Sequence, residues 1–362
     1  MLIHIATASP PFRVAQAKAA EELKLRMAGR PAVARLIDAA AQNSGIESRY
    51  VVVPDGEPGT TSRFYPGEPG APQPDTRTRM REYERWSKEL TADAARRVIQ
   101  ESGCDPGSIR RLITITCTGF YAPGIDYYLM NALRLPPSTK RTQIGFMGCA
   151  AALVGFSSVL DGLRGPESGE GATLLVAVEL CSLHLQTEPT RDNILANMIF
   201  ADGCAAALFS RDPAYVPRLE LLFTHSHLFP DSSTFMGWTI GNTGFEMMLS
   251  SELPRIIEEQ AVPALEQLLR DRGIDRSSIR HWVLHPGGRA ILDSLQKGLG
   301  LEDADMAPSR AVLKRFGNMS SASILFVMKE LLDTRPIGRD EHVCAVAFGP
   351  GLTMEVGLLK GA

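Results

Sequence analysis

The sequence predicts a layered α/β fold assembled from two related halves, on three observations. Residues 112–118 and 174–178, and then 282–284 and 343–348, are continuous apolar or β-branched runs. Runs without alternating polarity suit strands that helices cover on both faces. Each half also sets a turn and a helix of small residues after its first such strand: Cys149-Ala150-Ala151-Ala152, and Asn318-Met319-Ser320-Ser321-Ala322. Small side chains let helices approach closely at the centre of a layered fold. The third observation is spacing. Thr116 to Cys149 and Leu284 to Asn318 span 33 and 34 residues, and Cys149 to Val176 and Asn318 to Ala345 each span 27. The seam falls near 211–218, where Asp212-Pro213 and Pro217 interrupt the pattern, giving halves 1–213 and 214–362.

In chain order, residues 2–6 read as a short strand, and 16–27 and 32–42 as helices, the second ending near Gly45. Crowded Pro, Gly and Thr make 53–75 a surface loop. Residues 78–102 form a charged amphipathic helix with Trp86, Leu90 and Ala94 on one face. The most apolar stretch, 144–160, is broken by Gly, Ser and Cys and is shorter than a bilayer requires, so it reads as a buried helix. Met1-Leu2-Ile3-His4-Ile5-Ala6 lacks the basic start and long apolar run of a secretory signal, so the expected location is cytoplasmic.

A chain of 362 residues, 44% apolar and 22% charged, has the make-up of one or two ordinary globular domains, which excludes a disordered tail or a coiled coil. The formal net charge of −3 argues against nucleic acid as a partner, because phosphate binding needs clustered positive charge. The six cysteines form no CxxC or CxxH pair, so no metal site is expected. Four of them, Cys117, Cys149, Cys181 and Cys204, lie in apolar stretches, as reduced thiols do.

Three positions can carry chemistry. Gly145-Phe146-Met147-Gly148-Cys149 sets a thiol where a glycine-flanked turn meets an apolar helix. A helix N-terminus lowers a thiol pKa, so Cys149 reads as a nucleophile available as thiolate at neutral pH. A buried structural cysteine fits the same residues. His285 ends an apolar strand and precedes Pro286-Gly287-Gly288, a turn with almost no side chains that lets a substrate pass close to the backbone. A hydrogen-bonded structural histidine is the alternative there. Asn318 sets an amide at the matching helix start of the second half, where it would also serve as an N-cap. Cys, His and Asn at equivalent places in a duplicated fold point together to one cavity.

Cys149, the His285-Pro286-Gly287-Gly288 turn, Gly317-Asn318-Met319-Ser320-Ser321 and Phe348-Gly349-Pro350-Gly351-Leu352-Thr353 resemble, in order and over nearly the whole chain, the signature of type III polyketide synthases, the chalcone synthase family. Phe200-Ala201-Asp202-Gly203 and Gly244-Phe245 extend the resemblance. It implies a thiolase-like αβαβα fold, a homodimer, acyl-CoA and malonyl-CoA as substrates, and no metal or redox cofactor. It implies that Cys149 holds the starter as a thioester. His285 and Asn318 would then donate hydrogen bonds to the malonyl thioester carbonyl as decarboxylation develops enolate charge. Phe200 and Phe245, ordinary core aromatics by composition, become a gate. On one side lies a CoA tunnel walled by Gly287, Gly288 and Ala290. On the other lies a reaction cavity shaped by Cys117, Ala122, Ser320 and the Gly349-Pro350-Gly351 loop.

Two departures from the family pattern carry expectations. In plant members the helix before the Ile46…Arg49-Tyr50 segment holds CoA phosphates with several Lys and Arg, whereas residues 35–43 here offer only Arg35. Phosphate binding then rests on other groups, or the starter arrives on an acyl carrier protein. The family often has Thr at the position of Cys117 and Met at that of Ala122, the latter reaching across the dimer interface into the partner's cavity. Alanine removes about three heavy atoms there and admits a longer acyl chain. The pattern is closer to bacterial members that make alkylpyrones or alkylresorcinols than to flavonoid enzymes. An initiating β-ketoacyl carrier-protein synthase is the nearest rival, with the same fold and Cys-His-Asn set but a single condensation. Pro286-Gly287-Gly288 and the Phe348–Thr353 loop favour the polyketide enzyme. A thiol hydrolase would need no duplicated fold or gate aromatics, and a non-catalytic scaffold would be expected to lack one of the three site residues.

Overall fold

A computed structural model describes residues 1–27, 30–53, 55, 63–68, 70–165 and 171–362. Part of the surface loop expected over 53–75 lies outside them. The strands are β1 (Leu2–Ala8), β2 (Phe12–Ala15), β3 (Ser48–Val51), β4 (Ile109–Thr116), β5 (Lys140–Gly145), β6 (Ala172–Leu180), β7 (Asp202–Ser210), β8 (Leu219–Leu228), β9 (Met236–Gly241), β10 (Gly244–Leu249), β11 (Ile279–Leu284), β12 (His342–Gly349) and β13 (Thr353–Gly361). Nine of them form one sheet in the order β11-β12-β13-β8-β1-β7-β6-β4-β5.

The duplication is visible in that order. β4 runs parallel to β6, as β11 does to β12. β6–β7 and β12–β13 are antiparallel pairs, as are β7–β1 and β13–β8. Within the sheet the halves join where Leu2 of β1 lies opposite Leu219 of β8. Among the described residues β5 pairs with β4 alone and has no counterpart in the second half.

Alternate residues of each strand point to opposite faces, and the core follows this period of two. Leu175 and Ala177 of β6, with Ala345 and Ala347 of β12, join one apolar cluster with Leu153, Phe156, Val327 and Met328 of the helices Ala151–Arg164 and Ser323–Thr334. Leu174, Val176 and Val178 face the opposite way, onto Ala94 and Val98 of the helix Thr76–Ser102. Val346 and Phe348 likewise face Leu265 and Leu292. Two central helices, two sheet halves and two outer helical layers give the thiolase-like αβαβα arrangement. The central layer demands small residues. A Cβ on Gly155 would sit 2.7 Å from Leu175 and 2.8 Å from Ile115.

The spacing argument needs one correction. The structural repeat aligns Gly103-Cys104-Asp105-Pro106-Gly107-Ser108-Ile109-Arg110 with Gly273-Ile274-Asp275-Arg276-Ser277-Ser278-Ile279-Arg280. In both, a left-handed glycine ends a helix, φ +68° and +69°. An aspartate then accepts the backbone N–H two residues on, at 3.0 and 2.8 Å, and a serine hydroxyl closes the turn onto the aspartate carbonyl. Further on, the short 3-10 turn Gly148–Ala150 matches Ser320–Ala322, each led by a residue of positive φ, Gly148 at +60° and Ser320 at +46°. The counterpart of Cys149 is therefore Ser321, and Asn318 lies two residues before the matching turn. The equal intervals of 27 paired the wrong residues in a duplication that is itself present. The apolar stretch 144–160 also divides: Ile144 and Gly145 end β5, and the helix proper starts at Ala151.

Candidate active site

Cys149 sits in the 3-10 turn Gly148–Ala150, buried at the mouth of the central helix. The turn needs Gly148, whose φ is +60° and whose Cβ would lie 2.5 Å from Pro350. Gly349 lies equally close, since a Cβ there would come within 2.6 Å of the Met147 carbonyl. The Gly349-Pro350-Gly351 loop therefore buttresses the nucleophile turn, and of that loop region only Phe348 lines the cavity beside Cys149.

Asn318 comes from the second half. Its backbone joins the Phe200 segment: Asn318 N–H donates to Ile199 O (3.0 Å) and Ala201 N–H to Asn318 O (2.8 Å). Its amide is oriented from both ends. Oδ1 accepts Ser320 N–H at 2.8 Å and Nδ2 donates to Gly287 O at 3.3 Å; Met319, not Asn318, holds the N-cap position of the turn, so the capping role expected from the sequence gives way to one that orients the amide. That places the amide 3.9 Å from Cys149 Sγ. His285 is buried at the end of β11, its backbone N–H held by Val346 O at 2.9 Å. Neither imidazole nitrogen has a hydrogen-bond partner among the described residues.

The three side chains line one cavity of about 390 Å³, with Gly287, Gly288, Ala290 and Phe200 also on its wall. The electrostatics correct one expectation. Burial pushes the Cys149 thiol up to about 11, against the pull of hydrogen bonds from Ser320 and Asn318, with the nearby Glu179 charge adding to the rise. Burial also pushes His285 down to about 3. Burial thus favours thiol and neutral imidazole in the resting pair, opposing the helix-terminus effect invoked from the sequence. A neutral imidazole remains able to take the thiol proton as attack begins, and to donate afterwards.

Phe200 separates this cavity from a second, smaller one of about 100 Å³, and Met198 and Met247 line both. Phe245 lies on the second alone, stacked on His184 with ring centroids 4.2 Å apart. Nothing in the residues around His184 singles it out. It donates from Nε2 to Thr118 O (2.7 Å) and accepts Phe245 N–H on Nδ1 (2.9 Å), so it holds Phe245 in place. Its pKa is pushed down to about 3 by burial, which keeps it neutral for both bonds.

Cys117 and Ser320 lie behind Cys149 and line neither cavity. Cys117 N–H and the Thr118 hydroxyl donate to Glu179 Oε2 at 3.0 and 2.8 Å, and the Ser321 hydroxyl donates to Oε1. Glu179, fully buried, was also missed. It ties the ends of β4 and β6 to the second-half turn that carries Ser320, and an acidic residue inside an otherwise apolar strand run was the available signal. Ala122 is exposed and lines neither of these two cavities.

Two family models cover this chain: "Chalcone and stilbene synthases, N-terminal domain" matches residues 1–213, and the C-terminal domain model matches residues 220–362. The chain is 34% identical over 278 residues to "Polyketide synthase 37" of Dictyostelium discoideum, covering 74% of this chain and 9% of that much longer protein. It is 30% identical over 284 residues to "Alpha-pyrone synthesis polyketide synthase-like Pks18" of Mycobacterium tuberculosis H37Rv, covering 77% of this chain and 72% of the relative. The crystal structure of PKS-I from the brown alga Ectocarpus siliculosus superposes with a TM-score of 0.92 at 30% identity, over 100% of this chain and 99% of that one.

Proposed function

We propose that this chain, which belongs to the chalcone and stilbene synthase family, loads an acyl starter from a CoA thioester onto Cys149, extends it repeatedly with malonyl-CoA, and closes the product as a pyrone or resorcinol. The chain is a type III polyketide synthase by its relatives. The initiating carrier-protein synthase is not favoured, since the chalcone-family models match both halves.

The observation that carries the reading is the buried, unpartnered imidazole of His285 sharing a cavity with the Asn318 amide, itself 3.9 Å from Cys149 Sγ. Cys149 sulfur attacks the starter carbonyl as His285 takes its proton; the CoA thiolate leaves and is protonated from His285. Malonyl-CoA then loses CO₂, and its electron pair passes to the thioester oxygen, where the neutral His285 N–H and Asn318 Nδ2–H offer hydrogen bonds in a water-poor site. The enolate carbon attacks the Cys149 thioester and expels the thiolate, lengthening the chain by two carbons. No metal or redox cofactor takes part in this scheme.

The second cavity supports an iterative enzyme, because a growing chain has room beyond Phe200. Its lining is mixed, with Val14, Leu23, Val51 and Val53 beside Glu22, Arg26, Arg49 and Asp55. A homodimer is supported by β5, a sheet edge with one side unpaired, and by the exposed Phe120 and Met147 near it. Among the described residues no helix is long and apolar enough to cross a membrane, and the proposed location is the cytoplasm.

The test is incubation of the purified chain with acyl-CoA starters of graded length and malonyl-CoA, with product masses read by mass spectrometry. Pyrones or resorcinols from several extensions are expected. A single extension with a strict need for carrier protein would overturn the proposal.

A further inference from the structure

The cavity leading to Cys149 has a peculiar charge pattern at its walls. Its lining is mostly apolar, and the helix Pro31–Asn43 contributes Leu36, Ala39, Ala40 and Asn43, none of them charged. No carboxylate lines it. Its two charged lining residues are Arg191 and Arg289, both exposed. Each is the first residue of a helix, Arg191–Ile199 and Arg289–Leu299.

A cation at the first position of a helix opposes the positive end of the helix dipole, so both arginines sit where local electrostatics disfavour them. Neither is well compensated. Arg191 forms no ion pair among the described residues. Arg289 Nε reaches Asp293 at 3.5 Å, but Asp293 is shared with Arg310, 2.6 Å away, which leaves net positive charge at that corner. Local rules are broken most readily at functional positions, and an anion would reverse the sign of both conflicts. An independent observation shows that this cavity takes a ligand: His285, nine-tenths buried and without a protein partner, lines its far end.

We propose that Arg191 and Arg289 hold the phosphate end of a phosphopantetheinyl arm whose thioester reaches Cys149. This rests on the polyketide synthase reading and names the residues that discriminate carrier chemistry within it. Apolar walls would take the pantetheine chain, and the two guanidinium groups would take the phosphate by charge-assisted hydrogen bonds. Free CoA and the arm of an acyl carrier protein share this phosphate.

The experiment compares the full-length chain with Arg191→Gln, Arg289→Gln and the double variant. Each is given one acyl group in three forms: on CoA, on an acyl carrier protein, and on N-acetylcysteamine, which has no phosphate. Each substitution should raise KM for a phosphate-bearing thioester about tenfold with kcat changed less than about twofold, and the N-acetylcysteamine thioester should respond several-fold less. A KM effect confined to CoA or to the carrier protein identifies the source, and either supports the proposal. Equal losses with all three forms, or no loss with any, overturn it. Calorimetric titration of CoA and of 4′-phosphopantetheine into the wild-type and double-variant chains gives a second reading that needs no turnover. Wild-type chain that binds CoA through these arginines yet makes no product would sink the polyketide reading alone, and equal binding by both chains would sink this one.

Discussion

The turns Gly148-Cys149-Ala150 and Ser320-Ser321-Ala322 occupy matching places in the two halves, and their chemistry has diverged. The first carries the sulfur at the inner end of the cavity. The second points a hydroxyl the other way, into Glu179, and so braces the floor beneath the sulfur. The reacting groups of the second half come instead from the end of β11, which carries His285, and from Asn318, two residues ahead of the turn. Duplication thus supplied two equivalent frames. One became the reaction centre, and the other became its support, with its neighbouring loops supplying the hydrogen-bond donors.

The largest effect should separate the two turns. Cys149→Ala is expected to cut condensation by at least about a thousandfold while malonyl-CoA decarboxylation persists, since the donors His285 and Asn318 remain. Ser321→Ala, at the equivalent position, should retain condensation within about tenfold. It should also lose about 1–3 kcal/mol of stability by stripping a hydrogen bond from a buried carboxyl. Product yield, CO₂ release and urea denaturation measure these. If Cys149→Ala removed decarboxylation as completely as condensation, the division of labour between the halves would be wrong.

The next effect concerns charge at the first turn. With the Cys149 thiol raised to about 11 and His285 lowered to about 3, the free enzyme holds both groups neutral across the physiological range. Its inactivation by iodoacetamide should therefore climb about tenfold per pH unit from pH 7 towards 10, following the thiolate fraction. A rate already level between pH 5 and 9 would mean that His285 holds the proton as an imidazolium, against the burial argument.

The second turn has its own titration. Glu179 is pushed up to about 7 by burial, against hydrogen bonds from Ser321, Cys117 and Thr118. Its folded pKa lies above the unfolded value, so its contribution to stability is whole at pH below about 4.5 and is lost as pH rises through 7. Glu179→Gln removes that titration. The stability difference between wild type and variant should change by about 3 kcal/mol between pH 4.5 and 7, with wild type losing ground as pH rises. A difference that stays flat with pH would mean that Glu179 titrates normally and is not desolvated as its burial implies.

How far the sequence disclosed this arrangement depended on whether a signal was local. Unbroken apolar runs such as 174–178 gave the buried strands, because a strand covered on both faces has no polar side to show. Cys149, His285 and Asn318 stood out because glycines flank each of them, and glycine at a turn is legible one residue at a time. His184 was silent because its role comes from Thr118 and Phe245, far along the chain; Glu179 showed as a carboxylate in an apolar run, but its role depends on the equally distant Ser321. Residue intervals misled at Asn318: loops between equivalent elements differ by a residue or two, and the G-x-D-x-x-S-I-R repeat at Gly103 and Gly273 was the surer ruler. The raised thiol pKa was hidden too, since a helix start is visible in sequence and the depth of its burial is not.

The smallest effect tests whether the first half also serves a second copy of the chain. Ala122 is exposed and lines neither cavity of its own protomer, so in a monomer a larger side chain there should change little. Ala122→Met should leave stability within about 0.5 kcal/mol, as surface substitutions do. In a dimer that brings Ala122 to the partner's cavity, the added atoms would shorten the space for the acyl tail, and starter preference should move to shorter chains by a few carbons. The readout is the product profile across a panel of acyl-CoA starters, paired with sedimentation to establish the dimer. A dimer with an unchanged profile would confine Ala122 to the surface and remove it from the determinants of chain length. A shifted profile would make the cavity of each protomer partly the work of its twin, an asymmetry the second half, which has no strand equivalent to β5, does not share.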